Sequence, residues 1–134
     1  MTIEERAERG AALKNSGACN CCQAVVLALA DQTPLPEETL SQLASGFAAG
    51  MGNMEASCGA LVGAVQIAGL ALEGKSTVRC ARQLAERFAA ACGAVRCRDL
   101  KGRDSGCPLC ACEDCVRNAI LAYGEVVGLK QDKP

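Results

Sequence analysis

Gly59-Ala60-Leu61-Val62-Gly63-Ala64-Val65-Gln66-Ile67-Ala68-Gly69-Leu70-Ala71-Leu72, preceded by Cys58, is the longest apolar stretch of the chain, and Gln66 alone interrupts it. Cys58, Leu61, Val62, Val65 and Leu72 fall along one stripe at helical spacing. A helix this apolar is either buried in a protein core or placed in a membrane. The stretch is shorter than the ~17 residues that a membrane span needs. It therefore reads as a buried helix, with Ser57 as its expected cap, and the rest of the chain reads as helices that cover it.

Working towards the start, Gly46 to Ser57 is rich in Gly and Met and reads as a loop. Before it, Pro36-Glu37-Glu38 opens a helix: proline suits the first turn and carboxylates favour the positive end of the dipole. Leu40, Leu43, Ala44 and Phe47 then share a face. A helix over Cys21 to Ala30 and a polar helix ending near Lys14 precede this, the latter opened by Thr2 and Glu5 as a capping box. Towards the end, Gly74-Lys75-Ser76 is a turn. A helix from Thr77 to about Ala91 is expected to carry Val78, Ala81, Ala85, Phe88 and Cys92 inward. Asp99 to Gly106 reads as a loop. A last helix, Cys112 to Val127, carries Val116, Ala119, Ile120, Tyr123 and Val127 on one side, and residues 130–134 read as a frayed tail. No strand-like alternation or internal repeat is present. The expectation is an all-α, compact bundle of about five to six helices with cysteine-rich loops, forming a single domain over residues 1–134.

Half of the 134 residues are hydrophobic, yet there is no Trp, and only Phe47, Phe88 and Tyr123 are aromatic. The core must then be built from Ala, Leu, Val and Cys, which bury little area each, and an internal metal centre would add stability. Fourteen basic and fifteen acidic residues nearly cancel. There is no basic stripe with interleaved aromatics, so no nucleic-acid partner is expected. Met1-Thr2-Ile3-Glu4-Glu5-Arg6 lacks the basic flank and apolar run of a signal peptide. A cytoplasmic protein with no membrane insertion is expected. In that setting eleven cysteines and no histidine point to thiolate ligation or redox work rather than to a disulfide framework. The absence of histidine also removes His-ligated metals and the Cys-x-x-Cys-His motif of haem attachment.

Cys19, Cys21 and Cys22 sit at one expected helix start and Cys58 at another. Cys107, Cys110, Cys112 and Cys115 lead into a third. Helix starts carry free N–H groups and partial positive charge, which stabilise thiolates and the sulfides of an anionic cluster. Convergence of these starts would make a site. Cys107-Pro108-Leu109-Cys110 and Cys112-Glu113-Asp114-Cys115 are two Cys-x-x-Cys pairs, whose spacing departs from both the ferredoxin run and the zinc ribbon. Cys92 reads as core and Cys80 as core or surface. Cys19 and Cys22 are balanced between burial and ligation. Gly59 and Gly63 read equally as close helix contacts.

Cys58-Gly59-Ala60-Leu61-Val62-Gly63 resembles the signature of the redox-active proteins named after it, the C_GCAxxG_C_C family. Asn20-Cys21-Cys22-Gln23-Ala24-Val25, Leu43-Ala44-Ser45-Gly46-Phe47, Gly50-Met51-Gly52, Arg96-Cys97-Arg98-Asp99-Leu100, and Cys112 followed by Val116 resemble its other elements. The resemblance places the four defining cysteines at Cys21, Cys58, Cys97 and Cys112 and implies a redox role. A related domain in the split-Soret cytochromes holds an iron–sulfur centre. The segment from Cys97 to Cys112 is shorter than usual in the family. Cys19, Cys22, Cys107, Cys110 and Cys115 are additional, which implies more metal than a four-ligand site or a second centre.

The expected function is an iron–sulfur cluster held by Cys21, Cys58, Cys97 and Cys112, with Cys22, Cys107, Cys110 and Cys115 as auxiliary or second-centre ligands. It would pass single electrons to an electron-transfer protein partner. Two alternatives are a thiol–disulfide oxidoreductase or sensor using the Cys-x-x-Cys pairs, and a site for zinc or another thiophilic ion. A homodimer is also expected, from the small-residue face at Gly59, Gly63, Ala64 and Gly69.

Overall fold

The computed structural model describes residues 1–130. The helices run in the order α1 (Ile3–Asn15), α2 (Cys21–Ala28), α3 (Glu37–Ala44), α4 (Gly59–Ala71), α5 (Thr77–Cys92), α6 (Cys97–Leu100) and α7 (Cys112–Val126). Six are substantial and α6 is a single turn, so the all-α expectation holds among the described residues. Among the described residues no helix is long and apolar enough to cross a membrane.

The helices begin where local chemistry satisfies their free amides. Thr2 Oγ1 accepts from the Glu5 N–H and Glu5 Oε1 accepts from the Thr2 N–H, which is the capping box expected for α1. Asn20 and Gln23 build a second such box at α2. The Gln23 amide also donates to the Ser41 carbonyl at 3.0 Å and so ties α2 to α3. The Asx-x-x-Gln spacing is a capping signature, and Asn20 and Gln23 are read above only as family-like residues. α2 is shorter than expected: it stops at Ala28, and a tight turn over Ala30–Gln32 follows. Arg6 on α1 is buried, and its guanidinium forks onto Asp31 at 2.5 and 2.9 Å.

α7 packs against α1, α5, α2 and α4, and α4 also packs against α2 and α5. The apolar stretch that opened the sequence reading is therefore a buried helix. Its small-residue face is used within the chain: Gly59, Ala60, Gly63, Ala64, Ala68 and Ala71 are buried. Gly63 lies at the crossing with α2, where an added Cβ would meet the Cys22 carbonyl oxygen at 3.0 Å and Val25 Cβ at 3.1 Å. Gly59 lies under the segment after α3, where a Cβ would sit 2.5 Å from the Phe47 carbonyl oxygen. The two glycines of the hexapeptide, one turn apart, are thus close backbone contacts on one face of α4.

On α5 the buried residues are Cys80, Leu84, Phe88 and Cys92, four residues apart. Val78, expected inward, is 87% exposed, and Ala81 and Ala85 are at the margin. The inward face is rotated from the expected one because α4 and α7 together choose it. Leu43 on α3 is likewise exposed. Cys58, not Ser57, is the N-cap residue of α4. The segment read as a loop from Asp99 begins inside α6. Of the tail expected over residues 130–134, Lys130 donates its N–H to Gln32 Oε1 at 2.6 Å, and residues 131–134 lie outside the described residues.

Tyr123 of α7 is fully buried, and its hydroxyl has no hydrogen-bond partner among the described residues. Burial pushes its pKa up to about 12. An unpaired buried hydroxyl costs about 1–3 kcal/mol. Tyr123→Phe is therefore expected to raise the urea midpoint with an unchanged m-value. A lowered midpoint would mean that the hydroxyl is satisfied by an enclosed water.

Candidate metal centre

The four cysteines of the family pattern all stand at helix starts. Cys58 is the N-cap residue of α4, and Cys21, Cys97 and Cys112 are the first residues of α2, α6 and α7. Two of them are brought side by side by backbone pairing. Ser57 and Arg96 form an antiparallel bridge. The flanking Cys58 N–H donates to the Val95 carbonyl at 2.9 Å, and the Cys97 N–H to the Ala56 carbonyl at 3.0 Å. The other side of the site is closed by the chain after α6, where the Leu109 N–H donates to the Leu100 carbonyl at 2.9 Å and sets Cys110 over α6.

Together these elements enclose a cavity of about 20 Å³ lined by Cys21, Cys58, Cys97, Cys110, Cys112 and Cys115 with Ala49, Gly59, Leu100 and Lys101. That volume is room for one water-sized guest. Cys58, Cys97 and Cys115 are buried, as is Cys21, while Cys110 and Cys112 are partly open. All eleven cysteines are free thiols. One wall is a left-handed turn in which Ala49, Gly50, Met51 and Gly52 all have positive φ. At Gly50 a Cβ would lie 2.7 Å from Cys97 Cβ, so only glycine fits beside that cysteine. Strained left-handed residues persist where their surroundings over-determine them, and they gather at ligand clamps.

The thiols are held in contact as unequal partners. A hydrogen bond from Cys21, aided by Lys101 and Lys14, lowers the Cys112 pKa to about 6, and the same bond pushes Cys21 up. A hydrogen bond from Cys115 lowers Cys58 and pushes Cys115 up. The amides of Ala60 and Leu61 also face Cys58 and favour its thiolate, although no capping bond of regular geometry forms. Burial raises Cys97. The thiolate form is thus favoured at Cys112 and Cys58, and the thiolate is the form that binds thiophilic metals.

Two predicted ligands stand apart. Cys22 is fully buried and points to Gln66, its Sγ 3.3 Å from Oε1, and burial pushes its pKa up to about 12. Cys107 is exposed and does not line the cavity. In the other direction, Cys92, which the sequence reading takes as core, is buried but also belongs to a group. Its sulfur and those of Cys110 and Cys115 lie within 4.8 Å of one another and could hold a metal ion. Asn118 Nδ2 donates to Cys92 Sγ at 3.3 Å. Cys92 closes α5 far from any Cys-x-x-Cys pair, so nothing in its sequence surroundings marks it. The four-residue period Cys80, Leu84, Phe88, Cys92 was the available signal that it shares a face with the core.

No curated protein and no solved structure matches the chain. The profile of the family described as "Putative redox-active protein (C_GCAxxG_C_C)" matches residues 19–126, which span every cysteine of the cavity. The chain belongs to the C_GCAxxG_C_C family.

Proposed function

We propose that this protein holds an iron–sulfur cluster through cysteine thiolates in a reducing compartment and passes single electrons to a protein partner. The observation that carries the reading is the meeting of Cys21, Cys58, Cys97 and Cys112, from four helix starts, at one cavity with Lys101 on its wall. The donor chemistry fits: the ligands are all sulfur, the chain has no histidine, and amides and cations offset the negative charge. The cavity as it stands has room for one water-sized guest, so a multi-atom core requires the paired thiols, Cys21 with Cys112 and Cys58 with Cys115, to turn away from each other.

A bound cluster supplies one-electron redox chemistry. The residues of the chain do the rest. Cys58 and Cys97, both nearly without solvent contact, keep water from the centre and lower the local dielectric. The Ala60 and Leu61 amides and Lys101 stabilise negative charge on the sulfurs. Ala49 and Gly50 hold the wall against Cys97. The small cavity favours one second reading, a single thiophilic ion such as zinc bound by four thiolates.

Strictly anaerobic purification followed by iron, zinc and acid-labile sulfide per chain, with the visible spectrum, separates these readings. Brown protein with matched iron and sulfide is expected. Cys58→Ser and Cys97→Ser are each expected to remove most of both and to bleach the spectrum. Unchanged iron and sulfide in both variants would refute this ligand assignment. Colourless protein with one zinc and no sulfide would decide for the second reading.

A further inference from the structure

We infer that Cys92, Cys110 and Cys115 form a second site, adjoining the main cavity, that binds one thiophilic divalent cation of the zinc class. Cys92 ends α5, Cys115 lies in the first turn of α7, and Cys110 comes from the segment between α6 and α7. Three distant parts of the chain thus place three sulfurs within 4.8 Å of one another. Zinc–sulfur bonds of ~2.3 Å in a tetrahedral site put the sulfurs ~3.8 Å apart, a spacing that small side-chain rotations reach. Cys92 and Cys115 are 4% and 3% exposed. Cys110 is partly open, which leaves a way in for the ion and for a water as fourth ligand.

Asn118 is the second observation. It stands three residues after Cys115 on α7, and its side-chain amide donates to Cys92 Sγ at 3.3 Å. A thiol packed as a small hydrophobe needs no such donor, whereas a ligating thiolate is oriented and stabilised by one. The number of cysteines accommodates both sites. Six cysteines line the main cavity. Assigning Cys110 and Cys115 to the second site leaves Cys21, Cys58, Cys97 and Cys112, a complete set of four. The two sites adjoin through Cys115, which also contacts Cys58, yet they share no ligand.

The test uses the full chain, purified anaerobically and titrated with Co²⁺, whose thiolate charge-transfer and visible bands report the ligands. One equivalent of Co²⁺ with thiolate bands, beyond any taken up by the main cavity, is expected in the wild type and in Cys97→Ser. Cys92→Ser and Cys92→Ala are expected to lose tight binding, and Asn118→Leu to weaken it ~10–100-fold. Urea unfolding of each variant checks that the fold persists, and Cys92→Ala keeps a small apolar group at the buried position. A cobalt stoichiometry unchanged in both Cys92 variants, cobalt binding lost entirely in Cys97→Ser, or no cobalt bands in the wild type would overturn the second site. Iron and sulfide measured on the same samples report the main cavity. Loss of those with cobalt binding intact would refute the cluster reading alone.

Discussion

Phe88→Ala is expected to destabilise the protein by about 3–5 kcal/mol, the usual cost of emptying a buried aromatic site. Phe88 is fully buried on the inner face of α5, where that helix meets α4 and α7. The chain has three aromatic residues, and only Phe88 and Tyr123 are completely enclosed. The surrounding residues are largely Ala, Val, Leu and Cys, whose short side chains reach poorly into the space that a phenyl ring leaves. Total stabilities of ~5–15 kcal/mol are usual, so the urea midpoint should collapse or the variant should fail to accumulate. Val78→Ala on the same helix is the matched control. At 87% exposure it should stay within about 0.5 kcal/mol of the parent. Comparable effects from the two substitutions would show that α5 is rotated from the orientation described.

Gly59→Ala is expected to cost about 1–3 kcal/mol, the range for overpacking, and to lower the metal content of the site. The new Cβ would lie 2.5 Å from the Phe47 carbonyl oxygen. That atom is backbone, so no rotamer change relieves the clash. The segment after α3 must move, and it carries Ala49 and Gly50, which wall the cavity beside Cys97. Alanine is a better helix former than glycine by about 1 kcal/mol, which works against the clash and sets the scale of the test. At Gly69 the nearest atom to an added Cβ is a Thr77 methyl at 3.6 Å, an ordinary contact. Gly69→Ala should therefore gain stability from helix propensity, by up to about 1 kcal/mol. Gly63→Ala, with contacts of 3.0–3.3 Å at Cys22 and Val25, should fall between the two. Thermal or urea unfolding of the three variants under one metal condition reads this order directly. A neutral Gly59→Ala would mean that the signature glycine is not a packing requirement.

These glycines also mark how far local reading reaches. The hexapeptide Cys58 to Gly63 can be read as a buried helix with close contacts, and the structure bears this out. The neighbour at each glycine, a carbonyl from residue 47 at one and α2 at the other, comes from elsewhere in the chain and leaves no local mark. The same holds for α5. Its period was legible, but the direction of its inward face was not. Val78 and Leu84 are both apolar, and the choice between their faces is made by where α4 and α7 stand. The α2 capping box at Asn20 and Gln23 is legible as a spacing, since it involves residues only three positions apart.

The sequence by itself determined the helical class, the buried apolar helix, the starts at Thr2 and Glu37, and the presence of cysteines at several helix starts. Each of these follows from interactions within a few residues: side-chain period, capping groups, proline and glycine. Only the tertiary structure decided which thiols meet. The pairing of Ser57 with Arg96 sets Cys58 beside Cys97. The return of residues 109 and 110 over α6 adds Cys110, and the end of α5 brings Cys92 to Cys115. Cys22, next to a cavity cysteine in sequence, is turned to Gln66 by the rotation of about 100° between successive helical residues. Cys92, eighteen or more positions from its partners, is carried to them by the packing of α5 on α7. Ligand sets depend on contacts between residues far apart in the chain, and the packing of apolar helix faces creates those contacts.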